Sequence, residues 1–226
     1  ISWSLSLPLI TVNHLLSHIF ANFIEHKEIT PPFLALVVSG GHTELVHFDT
    51  LTTFTVVGKT LDDAAGESFD KAAKLLGLGF PGGPVIDELA KSGNPNFIQF
   101  PRALPQKNNF NFSYSGLKTA IRTWLIKQNP ETLSKNLPDI AASVQQAIIE
   151  PLVNKTVLYA KQHKIPHILL AGGVAANSTL RRQLTESTAK YGIKVFYPSL
   201  ALCMDNAAMV AAAAIPKFLA GQYAPL

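Results

Sequence analysis

At 226 residues, with 47% apolar and 15% charged residues, the chain reads as a globular protein of one large or two small domains, a composition that argues against disorder. The formal net charge of +4, without any run of five basic residues, permits an anionic partner without demanding one. A single cysteine, Cys203, excludes an internal disulfide framework and a cysteine-rich zinc site; it fits a reducing compartment and makes the cytoplasm the default location.

The opening stretch, Ile1 to Leu9, is apolar but has no Met and no basic n-region, so it reads as a chain entered partway rather than as a signal peptide. From Val12 to Lys27 the apolar residues Val12, Leu15, Leu16, Ile19, Phe20 and Phe23 recur at helical spacing, and Pro31-Pro32 closes that segment. Phe33–Ser39, Thr43–Phe48 and Phe54–Val57 are predicted as three sequential strands of an antiparallel meander. Asp62-Asp63 is expected to cap a helix that buries Ala64, Ala65, Phe69, Ala72, Ala73 and Leu76 and stops at Gly77. A short helix over Val85 to Lys91 follows the Pro81–Pro84 turn, and Ser92 to Ser115 reads as a long loop.

Helices are predicted at about Gly116–Gln128 and Pro138–Lys164. The chain then alternates: strand His167–Ala171, helix Asn177–Lys190, strand Lys194–Tyr197, helix Asp205–Leu219. A meander followed by alternating β/α units predicts an α/β protein whose mixed sheet is flanked by helices, as in ribonuclease-H-like domains. The longest apolar run, Ala207 to Ile215, is far shorter than the roughly 20 residues of a membrane span, so no transmembrane helix and no membrane partner is expected.

Three constellations offer chemistry. His14 and His18 stand four apart on a predicted helix, so both rings point to one face and can converge on a metal ion, or simply hydrogen-bond there. Asp205 is the candidate third ligand, with helix N-cap as its ordinary alternative; two His and one carboxylate would leave positions open, which suits Fe(II) or Zn(II). The second constellation is a set of Gly-Gly turns, at Gly40-Gly41, Gly82-Gly83 and Gly172-Gly173, accompanied by Asp70, Asp87 and Asn177. Glycines let a ligand approach main-chain N–H groups, so a strand, a Gly-Gly turn and a helix start can cradle a phosphate; a plain hairpin or helix–strand packing explains the same glycines. The third is Phe112 to Thr119, which ends the long loop with Lys118 and Arg122 one helical turn apart. It is a candidate for phosphate or RNA, or an ordinary helix start. Ser39 near His42, and Cys203 near Asp205, make no persuasive nucleophilic triad, since Gly-x-Ser-x-Gly is missing.

Asn13 to His18, Val38 to Thr43, Asp62 to Lys71, Phe80 to Pro84, Phe112 to Lys118, Ala171 to Asn177 and Cys203 to Asn206, taken together and in that order, resemble the TsaD (formerly Gcp) family over essentially the whole chain. The resemblance implies the actin and sugar-kinase superfamily fold. It also implies transfer of a threonylcarbamoyl group from threonylcarbamoyl-adenylate to N6 of the adenosine beside the anticodon in ANN-decoding tRNAs, with AMP released. By the same resemblance His14, His18 and Asp205 hold one divalent metal, Fe(II) favoured over Zn(II), and the nucleotide lies on Val37, Val38, Ser39, Gly40, Gly41, Asp70, Gly83, Asp87 and Asn177.

TsaB-like and TsaE-like partner proteins are implied as well, and the intact metal trio argues against the chain being TsaB itself. Family members begin with a further N-terminal stretch that forms half of the first domain. Residues 1–30 are therefore expected to be a remnant of that domain carrying the metal helix, with 31–226 as the second domain, and the last helix returning toward the first. Such a remnant would expose Ile10, Leu16 and Phe20 and favour self-association. Two other readings compete: a metal-dependent glycoprotein endopeptidase, although no His-Glu-x-x-His is present, and an actin-like nucleotide-binding assembly subunit without a metal.

Overall fold

The computed structural model describes residues 2–225; Ile1 and Leu226, the outer ends of the two predicted segments, lie outside the described residues. In chain order the elements are α1 (His14–Phe20), α2 (Asn22–Glu25), β1 (Phe33–Val38), β2 (Thr43–Phe48), β3 (Phe54–Lys59), α3 (Ala65–Leu75), α4 (Gly82–Ala90), α5 (Ser115–Ile126), α6 (Pro130–Lys135), α7 (Leu137–Gln162), β4 (His167–Ala171), α8 (Ser178–Ala189), β5 (Lys194–Phe196), α9 (Leu200–Cys203) and α10 (Ala207–Leu219). The five strands form one mixed sheet in the order β3-β2-β1-β4-β5. The meander β1-β2-β3 is antiparallel, whereas β4 and β5 add in parallel on the other side of β1.

All six residues of β1 are buried, because this central strand is covered on both faces. Leu34, Leu36 and Val38 face a large core with Phe69 of α3, Ile86 of α4, Ile121 of α5, Ile148 of α7 and Leu184 of α8. Phe33, Ala35 and Val37 face a smaller core with Ile19, Phe20, Leu169 and Ala213. Period-two alternation along one strand thus splits the interior into two layers. β3 is the exposed edge, where Phe54 and Val56 stay open to solvent.

Several boundaries differ from expectation for identifiable reasons. The helix predicted from Val12 to Lys27 starts later, because Asn13 caps it: its Oδ1 accepts from Leu15 N at 2.9 Å and Leu16 N at 3.2 Å. It is interrupted at Ala21, beside buried Asn22, whose Nδ2 donates to Ile19 O and Leu170 O. Asp62-Asp63 does not cap α3; its N-cap is Ala64, and Ala65 N and Gly66 N donate instead to Thr43 Oγ1 and Ser39 O. α4 begins at Gly82, inside the proline turn, because Asp70 Oδ1 accepts from Gly82 N at 2.7 Å. Two short helices, α6 and α9, fall between the expected elements, in stretches for which none was predicted. Of the residues expected to be exposed in the first segment, Phe20 is buried at 5% exposure against the underside of the sheet and Ile10 and Leu16 are half-buried, whereas Trp3, Leu5 and Leu7 are open there.

Candidate metal centre and glycine cradle

β1 and β4 lie side by side in parallel, with Val37 opposite Ala171, so both end at the same edge of the sheet. From that edge β1 turns toward β2 on one side, and β4 leads to β5 on the other. A crevice outside the carboxyl ends of such strands is where open α/β sheets bind ligands.

The turn after β1 is closed on itself: Ser39 N donates to His42 O at 2.9 Å, and His42 N to Ser39 Oγ at 3.1 Å. Gly40 and Gly41 at its tip are exposed, with nothing within 4 Å of where a Cβ would stand. Its flanks are tight. A Cβ at Gly66 would meet Ser39 O at 2.5 Å, and one at Gly172, whose φ is +87°, would run into Val38 O. Gly66 and Gly172 are glycines because neighbouring backbone presses on them, whereas Gly40 and Gly41 leave main chain accessible to a ligand. Val37 and Val38 are fully buried and offer only main-chain atoms here.

On one side of this turn, α10 packs against α1. His14 and His18, one helical turn apart on α1, direct Nε2 atoms to Asp205 Oδ1 at 3.4 Å and 3.1 Å. One ligand atom from each of the three residues lies within 4.8 Å of the others. Asp205 is not an N-cap: Asn206 takes that role, its Oδ1 accepting from Met209 N at 2.8 Å, which leaves the Asp205 carboxylate for the histidines. His18 is 4% exposed, while Asp205 stays 75% exposed, so the cluster is anchored below and open above. Burial, and then the neighbouring His14, hold the His18 pKa below the usual imidazole value against the opposing pull of Asp205, and His42 adds to the lowering. A neutral imidazole with Nδ1 buried and Nε2 aimed at the cluster is the ligand form. Two imidazoles and one carboxylate converging from one side, with the opposite side open, fit a divalent ion that keeps coordination positions free.

On the other side, the predicted nucleotide residues gather but their side chains are engaged. Asn177 caps α8 through Leu180 N at 2.9 Å and donates Nδ2 to Gln145 Oε1 at 2.8 Å. Asp87 accepts from Ser178 N at 2.9 Å and Ser178 Oγ at 3.0 Å. Asp70 holds the start of α4, where Gly83 has open space around it.

Sequence reasoning missed Arg181, counted only as scattered charge. Its Nε donates to Ala175 O at 2.5 Å, its Nη2 to Pro198 O at 2.9 Å, and Cys203 Sγ lies 3.2 Å from Nη2. It thereby ties the turn after β4 to the segment that delivers Asp205. Burial, partly offset by Arg181, raises the Cys203 thiol pKa, and the thiol is not paired with Asp205 as a nucleophile would be. No local pattern marks such a clamp, since its partners, the carbonyls of Ala175 and Pro198 and the Cys203 thiol, carry no sequence signal and meet only through the fold.

A family model described as TsaD, tRNA N6-adenosine threonylcarbamoyltransferase, matches residues 1–212. The chain belongs to this family. It is 49% identical over 221 residues to the tRNA N6-adenosine threonylcarbamoyltransferase of Clostridium perfringens, covering 98% of this chain and 65% of that protein. It is 48% identical over 226 residues to the Moorella thermoacetica protein of the same description, covering 100% of this chain and 66% of that one. The chain therefore spans about two thirds of the length of the relatives it matches. Among solved structures, full-length HypF in a phosphate- and nucleotide-bound form superposes with a TM-score of 0.70 at 17% identity, over 96% of this chain and 37% of that one. At that identity the likeness shows the fold alone. With the family match, it bears out the actin and sugar-kinase-like mixed sheet. No helix among the described residues is long and apolar enough to cross a membrane.

Proposed function

We propose that the chain carries the transfer site of a cytoplasmic tRNA N6-adenosine threonylcarbamoyltransferase. In that reaction the N6 amine of the adenosine 3′ to the anticodon in an ANN-decoding tRNA attacks the carbamoyl carbon of threonylcarbamoyl-adenylate. The carbon–oxygen bond to the phosphate breaks, AMP leaves with that oxygen, and N6 gives up one proton. The observation that carries the reading is the convergence of His14, His18 and Asp205 beside an open Gly-Gly turn at the ends of β1 and β4.

In this reading His14 Nε2, His18 Nε2 and a carboxylate oxygen of Asp205 hold one divalent ion, Fe(II) in preference to Zn(II). When bound, such an ion supplies Lewis-acid polarisation and a template for the carbamoyl-adenylate. Main-chain N–H groups of Gly40 and Gly41, at the tip of the turn that Ser39 closes, hold the phosphate, and oriented N–H groups suit the charge that develops on the leaving group. Asp70, Gly83, Asp87 and Asn177 bound the nucleoside side, with the engaged side chains shaping the wall and Gly83 leaving main chain approachable. Residues 31–226 then form the second domain of an actin-like pair, and residues 1–30 belong with the first. The exposed Trp3, Leu5 and Leu7 support association through that first segment, either with another copy or with TsaB-like and TsaE-like partners.

The reading is tested with the complete gene product, an unmodified ANN-decoding tRNA, threonine, bicarbonate, ATP and the partner proteins, scoring threonylcarbamoyladenosine in the tRNA by mass spectrometry. Stoichiometric metal without any modified adenosine refutes the transferase assignment.

A further inference from the structure

The α5 helix carries a second feature next to the crevice. Its sequence from Ser115 to Ile126 contains no acidic residue, and Lys118 and Arg122 stand one turn apart on its exposed face with exposed Thr119 and Thr123 beside them. Neither Lys118 nor Arg122 makes an ion pair or hydrogen bond among the described residues. The acidic groups nearby are already engaged. Glu67 and Asp63 both pair with Lys71, at 2.9 Å and 2.6 Å. Asp62 accepts from Ser113 Oγ, Tyr114 N, Ser115 N and Ser115 Oγ.

The same bonds fix where this cationic strip lies. Asp62 staples the start of α5 to the connection between β3 and α3, and the next residues of that connection are stapled to the crevice, Ala65 N to Thr43 Oγ1 and Gly66 N to Ser39 O. Lys118 is close enough to Glu67, in the first turn of α3, for its charge to lower the Glu67 pKa, behind the larger effect of Lys71. The rim therefore runs from the Gly-Gly turn over the start of α3 to Lys118 and Arg122. Gly116, with nothing within 4 Å of a would-be Cβ, leaves the near end of the strip unobstructed.

We propose that the exposed face of α5, through Lys118 and Arg122, docks the phosphate backbone of the RNA whose adenosine enters the crevice. The proposal rests on the RNA-modifying reading above and deepens it. Two unpaired cations at i and i+4 on an acid-free helix face are a phosphate-positioning surface, which sets register on the RNA without reading bases. The phosphates flanking the reacting nucleotide pass along a rim of the crevice, and the α3–α5 rim offers these two cations without a partner among the described residues.

The test measures binding of an unmodified ANN-decoding tRNA transcript to the complete gene product across a salt series, alongside steady-state modification. Lys118→Gln/Arg122→Gln is expected to weaken tRNA binding at least about tenfold at physiological salt and to flatten the salt slope by about two units. KM for tRNA rises while kcat at saturating tRNA and the metal content stay unchanged. Lys118→Arg/Arg122→Lys, which keeps both charges, retains wild-type binding. Lys190→Gln/Lys194→Gln removes the same charge at the far end of α8 and the start of β5, and is expected to leave the slope intact. Equal weakening by the two Gln doubles, or no weakening by the first, overturns the docking strip while the transferase reading stands. RNA binding that depends on Lys118 and Arg122 without any modification upholds the strip and refutes the transferase, and a wild-type protein that binds no tRNA refutes both.

Discussion

The two sides of the Gly40-Gly41 turn use the same kinds of residue in opposite ways. On the α1–α10 side, Asp205 is left out of helix capping by its neighbour Asn206, and its carboxylate stands 75% exposed among imidazoles. On the α4–α8 side, Asp87 and Asn177 are engaged in holding the first turn of α8, and Asp70 in holding the first turn of α4. The first side is built to present atoms to something outside the chain; the second is built to keep two helix starts in place. Donor atoms left free cost little to mutate in the fold and much in function, whereas atoms spent on caps cost stability directly.

The largest effect that would sharpen this contrast is expected on the free side. Asp205→Ala should abolish stoichiometric metal binding and lower transfer activity at least about 100-fold, at or beyond the upper end of what outer-shell changes cost in metal sites. The metal-free stability should move by no more than about 0.5 kcal/mol, because the side chain is exposed. Metal analysis and urea unfolding read the two quantities separately; retained metal, or a large loss of stability, breaks the contrast. Gly172→Ala, at the junction of both sides, is expected to cost roughly 3 kcal/mol, since the residue sits at φ +87° and a Cβ would overlap Val38 O. Gly40→Ala, in open space, should leave stability near wild type and weaken only nucleotide binding, measured by calorimetry with AMP.

On the spent side, Asn177→Ala should lower stability by about 1–2 kcal/mol in urea unfolding, from the lost cap on Leu180 N and the partner taken from buried Gln145. A variant as stable as wild type would mean that Asn177 is held in reserve for a ligand, as Asp205 is.

Much of this was legible in the residues, and the illegible part has a common cause. Central strands announced themselves as short apolar runs rich in β-branched and aromatic residues, and His14 with His18 by helical spacing, because those signals are local. Whether Asp205 capped α10 or met the histidines was undecidable from sequence, since Asp and Asn are near-equal caps and adjacent here. Asp62 was misassigned for the mirror reason: it precedes a helix at capping distance but serves another helix, α5, more than fifty residues along. Arg181 and Lys155 were invisible, because their partners are mostly backbone carbonyls brought together only by the fold; Lys155 Nζ, 8% exposed at the residue, donates to the carbonyls of Leu104, Asn109 and Asn111.

Asp62 supplies the smallest and most specific test, because it repeats the spent pattern at a third helix start. Burial alone would raise its pKa, but bonds from Ser113, Tyr114 and Ser115 outweigh it and hold the carboxyl below the usual aspartate value. A carboxyl depressed in the folded state contributes stability that is fully present above the unfolded value, near ~3.9, and is lost as pH falls through the lower folded value. Asp62→Ala should therefore cost about 1 kcal/mol at neutral pH, typical of a lost cap at an exposed site. The gap between variant and wild type should close in acid, below the ordinary carboxylate range. Urea midpoints at neutral and acid pH decide the matter. A gap that persists unchanged in acid would mean that the side chain acts by packing, and that the staple joining α5 to the crevice rim does not depend on its charge.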